Sequence, residues 1–205
     1  MRLGVLVSGS GTNLQAILDA VATGALDASV AVVISNVSTA AGLARASNAG
    51  VATEVVNHRE YASREAFDAG LVERLRHHQV DTVVLAGFMR IVTRVLLEAF
   101  PRRVVNIHPA LLPSFAGVHA QRQALNYGVR VAGCTVHLVD EGTDTGPILA
   151  QAVVPVLDDD DEESLGARIL VQEHALLPKV LQWISEGRVR VEERLGRRPR
   201  VFVTG

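Results

Sequence analysis

Short apolar runs rich in β-branched residues alternate, in the first half of the chain, with stretches whose apolar residues recur every three or four positions. Apolar runs without polar alternation are typical of strands buried on both faces, and the longer spacing is typical of amphipathic helices. The predicted strands occupy residues 2–8, 30–35, 52–56, 81–88 and 104–108. Because strands and helices alternate, the pattern predicts an α/β fold with a Rossmann-like, doubly wound and mostly parallel sheet.

Small polar residues and glycines mark the helix boundaries in this half. Thr12 is predicted to cap the first helix, and Gly24 follows where that helix would end. Ser38 and Gly50 are predicted to bound a second helix, and Ser63 to cap a third. The predicted inward stripe of the third helix is Phe67, Leu71 and Leu75.

The second half has a different pattern. The runs 131–140 and 148–156 predict an antiparallel pair joined by the loop 140–147, so the sheet is expected to be mixed. Ser164 is predicted to open a long helix that ends at Gly187 and is kinked or split at Pro178. Its predicted apolar positions are Leu165, Ile169, Leu176, Val180 and Ile184.

An arginine-rich tail follows, and we predict that residues 1–187 form a single domain with the tail at 188–205. Glutamates are interleaved with the arginines, and no aromatic stacking pattern accompanies them. The tail is therefore predicted to be a solvated strand or ribbon rather than a nucleic-acid-binding arm.

Composition places the chain among ordinary soluble globular proteins. Its 205 residues are 48% hydrophobic and 20% charged, with a formal net charge of -2, so the overall basic excess of a nucleic-acid-binding protein is absent. The single cysteine, Cys134, cannot form a disulfide within the chain and is expected to be a small core residue. The apolar run at the start is shorter than expected for a signal peptide, and no segment approaches the ~20 apolar residues of a membrane span. We expect a cytoplasmic protein that binds neither nucleic acid nor membrane.

The stretch SGSGTN, residues 8–13, lies between the first predicted strand and the first predicted helix. Small residues in this position allow backbone N–H groups and a helix N-terminus to approach an anion. Gly9 and Gly11 fit the start of a dinucleotide fingerprint, but Leu14 replaces its third glycine, and the Gly-Lys-Ser/Thr ending of a P-loop is missing. A phosphate monoester is therefore the favoured ligand, with a simple tight turn as the alternative.

Asn106 and His108 interrupt the apolar run 104–108 immediately before Pro109. If this run is a strand, both side chains lie on the same face at its carboxyl end, where open α/β sheets bind ligands. An amide N–H₂ can stabilise an oxyanion and an imidazole can transfer a proton, as acyl transfer through a tetrahedral intermediate requires. The alternative is a turn asparagine and a hydrogen-bonded core histidine.

The loop DEGTDTGP, residues 140–147, carries three acidic side chains among glycines and threonines. Asp144 is expected to reach His108, to hold it in one orientation and to favour its protonated form. Calcium is a competing use of such a loop, but the EF-hand spacing is absent, and the histidines show no metal-binding spacing such as H-E-x-x-H. No metal is therefore expected. His137 is predicted to be a packed or hydrogen-bonded residue.

Six motifs together resemble one family, the folate-dependent glycinamide ribonucleotide formyltransferases of purine synthesis. They are SGSGTNLQAI, SREAFD, VVLAGFMRI, NIHPALLPSF, DEGTDTGPI and QEHALLP, which follow the family's order and spacing over residues 8–178. The resemblance implies transfer of a formyl group from 10-formyltetrahydrofolate to the amino group of 5-phosphoribosylglycinamide. It also implies a formyltransferase fold, with folate as co-substrate and no metal.

The resemblance further implies a role for particular residues. Asn106, His108 and Asp144 match the family's catalytic set. The phosphoribosyl portion of the substrate would bind Gly11, Thr12, Asn13 and Glu173. The folate would bind Arg64, Met89, Arg90, Ile91, Val92, Asn106, Asp140 and Asp144. The residue patterns alone treat Arg64 and Glu173 as exposed helix charges and Met89 as a core residue.

Three positions depart from the family's pattern. Ala110 stands where serine is common, Ala116 where proline or a polar residue is often found, and Gln121 where histidine can occur. These departures lie outside the three proposed catalytic residues and concern the loop 109–122. The family's motifs say nothing about the purpose of the tail or about whether the protein is a monomer or a homodimer.

The rival functions share the catalytic set. A formyltetrahydrofolate hydrolase would use water as the acceptor, but in the family this chain resembles, it normally carries an extra N-terminal regulatory domain, whereas the first strand here is predicted to begin at Arg2. A methionyl-tRNA formyltransferase would need a further C-terminal domain. A non-catalytic nucleotide-binding module would explain residues 8–13 but not Asn106, His108 and Asp144 together.

Overall fold

The computed structural model describes residues 1–204, which form six α-helices and nine β-strands. The strands are β1 (Arg2–Val7), β2 (Ser29–Ser35), β3 (Thr53–Val55), β4 (Thr82–Leu85), β5 (Val104–His108), β6 (Val131–Leu138), β7 (Ile148–Pro155), β8 (Val189–Arg194) and β9 (Arg197–Val203). The helices are α1 (Thr12–Ala22), α2 (Ala41–Asn48), α3 (Arg64–His77), α4 (Arg94–Ala99), α5 (Ala120–Tyr127) and α6 (Glu162–Ser185), with a 3₁₀ turn at His58–Glu60.

Seven strands belong to one sheet in the order β3-β2-β1-β4-β5-β6-β7. Strands β1 to β5 pair in parallel, and β6 and β7 pair antiparallel. The predicted α/β fold with a mixed, mostly parallel sheet is therefore confirmed.

The chain divides into two compact units, one over Met1–Asn106 and a second that begins at Ile107. In the first unit β1 and β4 are buried, as their unbroken apolar runs predict, and β4 is buried along its whole length. Strand β2 is buried in its second half, and β3, at the edge of the sheet, is mostly exposed. Helix α3 contributes the predicted stripe of Phe67, Leu71 and Leu75 to the core. Ser63 caps this helix as predicted, because its side chain accepts a hydrogen bond from the backbone N–H of Ala66.

In the second unit, α6 packs against the β6–β7 pair. Leu165, Ile169 and Val180 are buried as predicted, whereas Ile184 is only partly buried and the buried leucine before Pro178 is Leu177 rather than Leu176. Cys134 is a fully buried residue of β6, as expected.

Several predicted helix starts are wrong because the backbone or a neighbouring acid supplies the cap. Thr12 is the first residue of α1, and the capping position is Gly11 in a left-handed conformation. Helix α2 begins at Ala41 and is capped by Ala40, so Ser38 takes no part in it. Helix α6 is capped by Asp161, and Ser164 closes a capping box with that residue.

Helix α6 is not split at Pro178, which lies inside one continuous helix. The tail forms an antiparallel β8–β9 ribbon, which confirms the predicted ribbon. On this ribbon the guanidinium groups of Arg190 and Arg200 lie 4.8 and 4.9 Å from the ring centre of Phe202. These are cation–π contacts within the ribbon, and the sequence pattern alone does not reveal them.

Candidate functional site

Strand β5 ends with the two polar residues that interrupt its apolar run. Asn106 and His108 are two positions apart on this strand, so their side chains leave it on the same face. The His108 side chain is only 5% exposed. Its Nδ1 atom lies 3.4 Å from Asp144 Oδ2, and its Nε2 atom lies 2.9 Å from the carbonyl oxygen of Phe115. The expected contact between Asp144 and His108 is thus confirmed.

Both neighbours of the His108 ring are hydrogen-bond acceptors. A neutral imidazole has only one N–H, so both contacts can be hydrogen bonds only when both ring nitrogens carry a proton. The His108 ring is therefore held between two acceptors, the Asp144 carboxylate and the Phe115 carbonyl oxygen. Such a ring is suited to hand over a proton or to face a developing negative charge.

Two further groups, besides His108, contact the carboxylate of Asp144. The backbone N–H of Gly117 donates to its Oδ2 atom at 2.8 Å, and His137 Nε2 lies 3.6 Å from its Oδ1 atom. Asp144 itself adopts a left-handed conformation with φ 55°. An aspartate accepts this backbone more readily than most residues, which aims the carboxylate at the two imidazoles.

The carboxylate of Asp144 is more acidic than an ordinary one. Burial acts to raise the pKa of Asp144, but the hydrogen bond from His137, the N–H of Gly117 and the charges of the two histidines act more strongly in the other direction. The pKa of Asp144 therefore lies below its usual range, and this group carries a negative charge at neutral pH.

His137 is the residue of this cluster whose position the sequence did not reveal. It is fully buried on β6, and its Nδ1 atom lies 2.9 Å from the carbonyl oxygen of Leu138. The predicted packed, hydrogen-bonded histidine is confirmed. Its second ring nitrogen, however, faces Asp144. The available signal was a histidine in the middle of an otherwise apolar strand.

The loop 140–147 is shaped by Asp140. One oxygen of its carboxylate accepts hydrogen bonds from the Thr145 hydroxyl at 2.6 Å and from the Gly142 backbone N–H at 3.1 Å. These two bonds link the start of the loop to Gly142 and Thr145, on either side of Asp144. The Oδ1 atom of Asp140 is thus engaged within the loop.

The segment 109–118 is tied down by side chains of the second unit. The buried Thr135 hydroxyl donates to the Ala110 carbonyl oxygen and accepts from the Leu112 N–H, and the Gln151 amide donates to the Leu112 carbonyl oxygen. The Gln123 amide reaches the carbonyl oxygen of Ala116 at 3.2 Å. The departures at Ala110 and Ala116 therefore lie at positions held through their backbone oxygens.

In the first unit, the stretch 8–13 forms the predicted turn between β1 and α1. Gly11 has φ 69°, and a Cβ atom placed on it would lie 2.5 Å from the Cα atom of Gly42. The guanidinium of Arg45 donates to the carbonyl oxygen of Ser10 at 2.9 Å. Thr12 and Asn13 are the first two residues of α1, at the end of the helix towards which its backbone N–H groups point. This arrangement suits an anion.

The segment 87–93 follows β4 and carries the residues expected to contact folate. Met89 is 70% exposed and Ile91 is 55% exposed, so the interpretation of Met89 as a core residue is wrong. Val92 is buried and Arg90 is partly exposed. Arg64 is exposed at the start of α3, as predicted. Exposed apolar side chains beside arginines suit a ligand that joins a flat ring system to carboxylates.

Glu173 was predicted from the residue pattern to be an exposed helix charge, and this is wrong. It is 6% exposed and occupies the inward face of α6. The signal lies in the spacing, because Glu173 falls four residues after Ile169 and four before Leu177. An acid inside an apolar stripe is costly unless it has a partner or a ligand.

Within residues 1–204, no cluster of three or more histidine, cysteine, aspartate or glutamate side chains is arranged to hold a metal ion. Over the same residues, every helix is too short or too polar to cross a bilayer.

Comparison with known proteins identifies the family. Residues 1–181 match the family described as formyl transferase. The phosphoribosylglycinamide formyltransferase of Escherichia coli is 44% identical over 193 residues, which cover 94% of this chain and 91% of that protein. The crystal structure of glycinamide ribonucleotide transformylase 1 from Symbiobacterium toebii has 53% identity and a TM-score of 0.96, with coverage of 100% of this chain and 94% of that one.

A longer protein contains a similar region. The trifunctional purine biosynthetic protein adenosine-3 of Drosophila melanogaster is 48% identical over 188 residues, which are 91% of this chain but 14% of that protein. The chain thus spans about one-seventh of the length of this relative but nearly the whole length of the bacterial enzyme. By its match over most of its length, this chain belongs to the phosphoribosylglycinamide formyltransferase family of formyl transferases.

Proposed function

We propose that the protein is a phosphoribosylglycinamide formyltransferase. It transfers the formyl group of 10-formyltetrahydrofolate to the glycinamide amine of 5-phosphoribosylglycinamide, in purine biosynthesis. The observation that supports this best is the buried contact between His108 and Asp144 at 3.4 Å, in a chain of this family. In this contact an imidazole lies next to a charged carboxylate, and such a pair can serve the proton transfers of formyl transfer to an amine.

In the proposed reaction, the neutral amine attacks the formyl carbon and negative charge develops on the formyl oxygen. Asn106 donates a hydrogen bond to that oxygen, and a protonated His108 stabilises the same charge. The formyl oxygen takes the place of the Phe115 carbonyl as the acceptor for His108 Nε2. Asp144 keeps the ring charged and orients it. A proton passes from the attacking nitrogen to the departing N10 of the folate, which completes the transfer.

The binding roles follow the family's motifs. Gly11, Thr12, Asn13 and Glu173 bind the phosphoribosylglycinamide. The folate binds Arg64, the stretch from Met89 to Val92, Asn106, Asp140 and Asp144. The backbone N–H groups at the start of α1 support the phosphate assignment, and the exposed Met89 and Ile91 support the folate assignment. Folate acts as a co-substrate, and the reaction as proposed uses no metal.

We also propose that the partners are small molecules only, that neither nucleic acid nor membrane is bound, and that the enzyme is cytoplasmic. The charge balance of the whole chain supports the absence of a nucleic-acid partner. The single buried cysteine fits a reducing compartment. We treat residues 1–187 as one functional domain.

The test follows the deformylated folate spectroscopically, with and without phosphoribosylglycinamide. We expect product only when the acceptor is present. Product without the acceptor would indicate a formyltetrahydrofolate hydrolase, and no product in either case would contradict the enzyme assignment. His108→Ala is expected to lose formyl transfer while its circular dichroism and melting temperature remain those of a folded protein. Near wild-type turnover of folded His108→Ala would refute the mechanism.

A further inference from the structure

The segment 87–93 joins β4 to α4 without forming a helix or strand of its own. Irregular segments with exposed side chains are usually among the mobile parts of a protein. A mobile segment binds a ligand weakly, because only the fraction of molecules in the binding conformation is competent. The contacts that hold this backbone therefore bear on how well Met89 and Ile91 can contact a ligand.

Ser8 holds the first part of the segment. The backbone N–H of Ser8 donates to the carbonyl oxygen of Gly87 at 3.0 Å, and the N–H of Met89 donates to the Ser8 hydroxyl oxygen at 2.8 Å. The hydroxyl proton is directed to Asn36 Oδ1, 2.6 Å away. Because the one hydroxyl proton is engaged by Asn36, the Ser8 oxygen is oriented to accept from Met89. Asn36 is itself buried, which fixes the acceptor of the Ser8 hydroxyl proton within the fold.

Asp68 holds the other end. Its side chain is 1% exposed on α3, and its Oδ2 atom accepts a hydrogen bond from the backbone N–H of Thr93. The neighbouring Phe67 ring stacks on Phe88 with 6.5 Å between ring centres and 13° between the planes. Helix α3 thus fixes the segment at Phe88 through packing and at Thr93 through a carboxylate.

The burial of the Asp68 carboxylate carries a free-energy cost that its contacts must offset. Burial raises the pKa of Asp68, while the N–H of Thr93 and the charge of Arg64 act in the other direction. An apolar residue at position 68 would avoid the cost of burying a charge, and α3 already presents Phe67, Leu71 and Leu75 to the core. What the carboxylate adds is a directed contact with one backbone N–H, at the last residue of the segment.

We infer that Asp68 is a positioning residue for the folate co-substrate. Together with Ser8, it anchors the backbone of 87–93 at both ends, so that Met89, Arg90 and Ile91 already have the orientation that the bound ligand needs. Arg64, one helical turn before Asp68 on α3, is among the proposed folate contacts, so one helix both anchors the segment and supplies a cation. The inference rests on the proposed function, because the ligand is taken from it.

The size of the effect follows from population arithmetic. If loss of the anchor reduces the binding-competent population of the segment to about one-tenth, the dissociation constant for folate rises about tenfold. The affinity for phosphoribosylglycinamide is expected to change by less than about twofold, because the backbone N–H that Asp68 accepts belongs to Thr93 in the segment 87–93 and not to residues 11–13. The turnover number at saturating folate is expected to fall little, because the proposed catalytic residues lie on other elements.

The experiment compares Asp68→Ala and Asp68→Asn with wild type, and uses Asp161→Ala as the matched control. Asp161 is also an aspartate that accepts a backbone N–H at a helix start, but it serves α6. Two quantities are measured: hydrogen–deuterium exchange of peptides covering residues 86–94 without ligand, and dissociation constants for tetrahydrofolate and phosphoribosylglycinamide by calorimetry. We expect exchange in this region to be about tenfold faster in Asp68→Ala, in step with weaker tetrahydrofolate binding.

Asp68→Asn is expected to restore most of both properties, since the amide oxygen can accept the same N–H. Asp161→Ala should leave exchange in 86–94 unchanged. If Asp68→Ala does not fold, Ser8→Ala removes the opposite anchor and is expected to speed exchange around Met89 and weaken tetrahydrofolate binding. Unchanged exchange and affinity in a folded Asp68→Ala or Ser8→Ala would overturn the inference. A wild-type protein that binds no tetrahydrofolate would instead overturn the proposed function.

Discussion

Asp144 is the single residue on which the geometry of the candidate catalytic cluster depends. Its two oxygens face different imidazoles, His108 through Oδ2 and His137 through Oδ1, while the Gly117 N–H fixes the carboxylate between them. One negative charge therefore orients two rings. His137 is not among the residues proposed to bind a substrate, and its contact with Oδ1 supports the task of orienting Asp144 towards His108.

Replacing Asp144 by asparagine keeps the size of the side chain and removes its charge. We expect Asp144→Asn to lower kcat about 100-fold or more, the range in which a lost acid–base partner falls. The matched control is Asp158→Asn, because Asp158 is an exposed aspartate of the same unit that contacts Arg130. Steady-state kinetics on both variants, with melting temperatures to establish folding, provide the measurement. Equal kcat values for the two variants would contradict the role of Asp144.

The element that supports the stretch 8–13, the proposed phosphate-binding loop, is the first turn of α2. Its Gly42 N–H donates to the carbonyl oxygen of Gly9 at 3.1 Å, and Arg45 reaches Ser10 from one turn further along. A Cβ on Gly11 would lie only 2.5 Å from the Cα atom of Gly42, so Gly11 cannot carry a side chain without displacing the backbone of α2. The loop is thus placed by a neighbouring helix as well as by α1, which it precedes.

The free-energy cost of the steric collision at Gly11 can be measured separately from the cost of placing a side chain in a left-handed backbone conformation. Gly11 and Gly24 share a left-handed conformation, with φ 69° and 74°, but a Cβ on Gly24 would meet nothing within 4 Å. Gly24→Ala is expected to cost about 1–2 kcal/mol of unfolding free energy, and Gly11→Ala about 1–3 kcal/mol more because of the collision with Gly42. Urea unfolding measures both.

The kinetic prediction for the same pair is more specific. Gly11→Ala should also raise the KM for phosphoribosylglycinamide, since the backbone N–H groups proposed to bind the phosphate move with the loop. Gly24→Ala should leave this KM unchanged. Equal loss of stability in the two variants would show that α2 does not constrain the loop.

Across the whole molecule, the parts that sequence predicts are those set by periodicity and by local chemistry. The buried parallel strands appear as unbroken apolar runs, and their predicted bounds differ from the observed ones by a few residues at most. The contact of Asp144 with His108 was predicted because His108 ends a strand, Asp144 lies in a loop between strands, and the two side chains have complementary chemistry. The exposure of Met89 and the burial of Glu173 were not predicted. The hydrophobicity of a side chain gives its average preference for the core, but not the surroundings it has in a particular fold. Caps formed by backbone alone, as at Gly11, leave little trace in sequence.

The charge pattern of the whole molecule predicts that it loses stability in acid. Asp144, Asp160, Asp161 and Glu186 all have pKa values below their usual range, mainly because they accept hydrogen bonds from arginine, glutamine, histidine or backbone groups. A carboxyl group with a lowered folded-state pKa binds protons more readily when unfolded, so its contribution is present above about pH 4 and is lost as the pH falls. Asp68 changes stability with pH in the opposite direction, because burial raises its pKa in the folded state.

We therefore expect the free energy of unfolding, measured by urea titration, to decrease between about pH 6 and about pH 3. Asp160→Asn tests the cause. The carboxylate of Asp160 is almost fully enclosed and binds both terminal nitrogens of the Arg168 guanidinium, at 2.6 and 2.8 Å. Its replacement should lower the free energy of unfolding at neutral pH. It should also make that free energy fall less steeply as the pH drops, because one group with a lowered pKa is gone. Asp158→Asn, at an exposed ion pair, should leave the slope nearly unchanged. If the Asp160→Asn curve ran parallel to wild type down to about pH 3, the acid loss would have to come from other carboxyl groups.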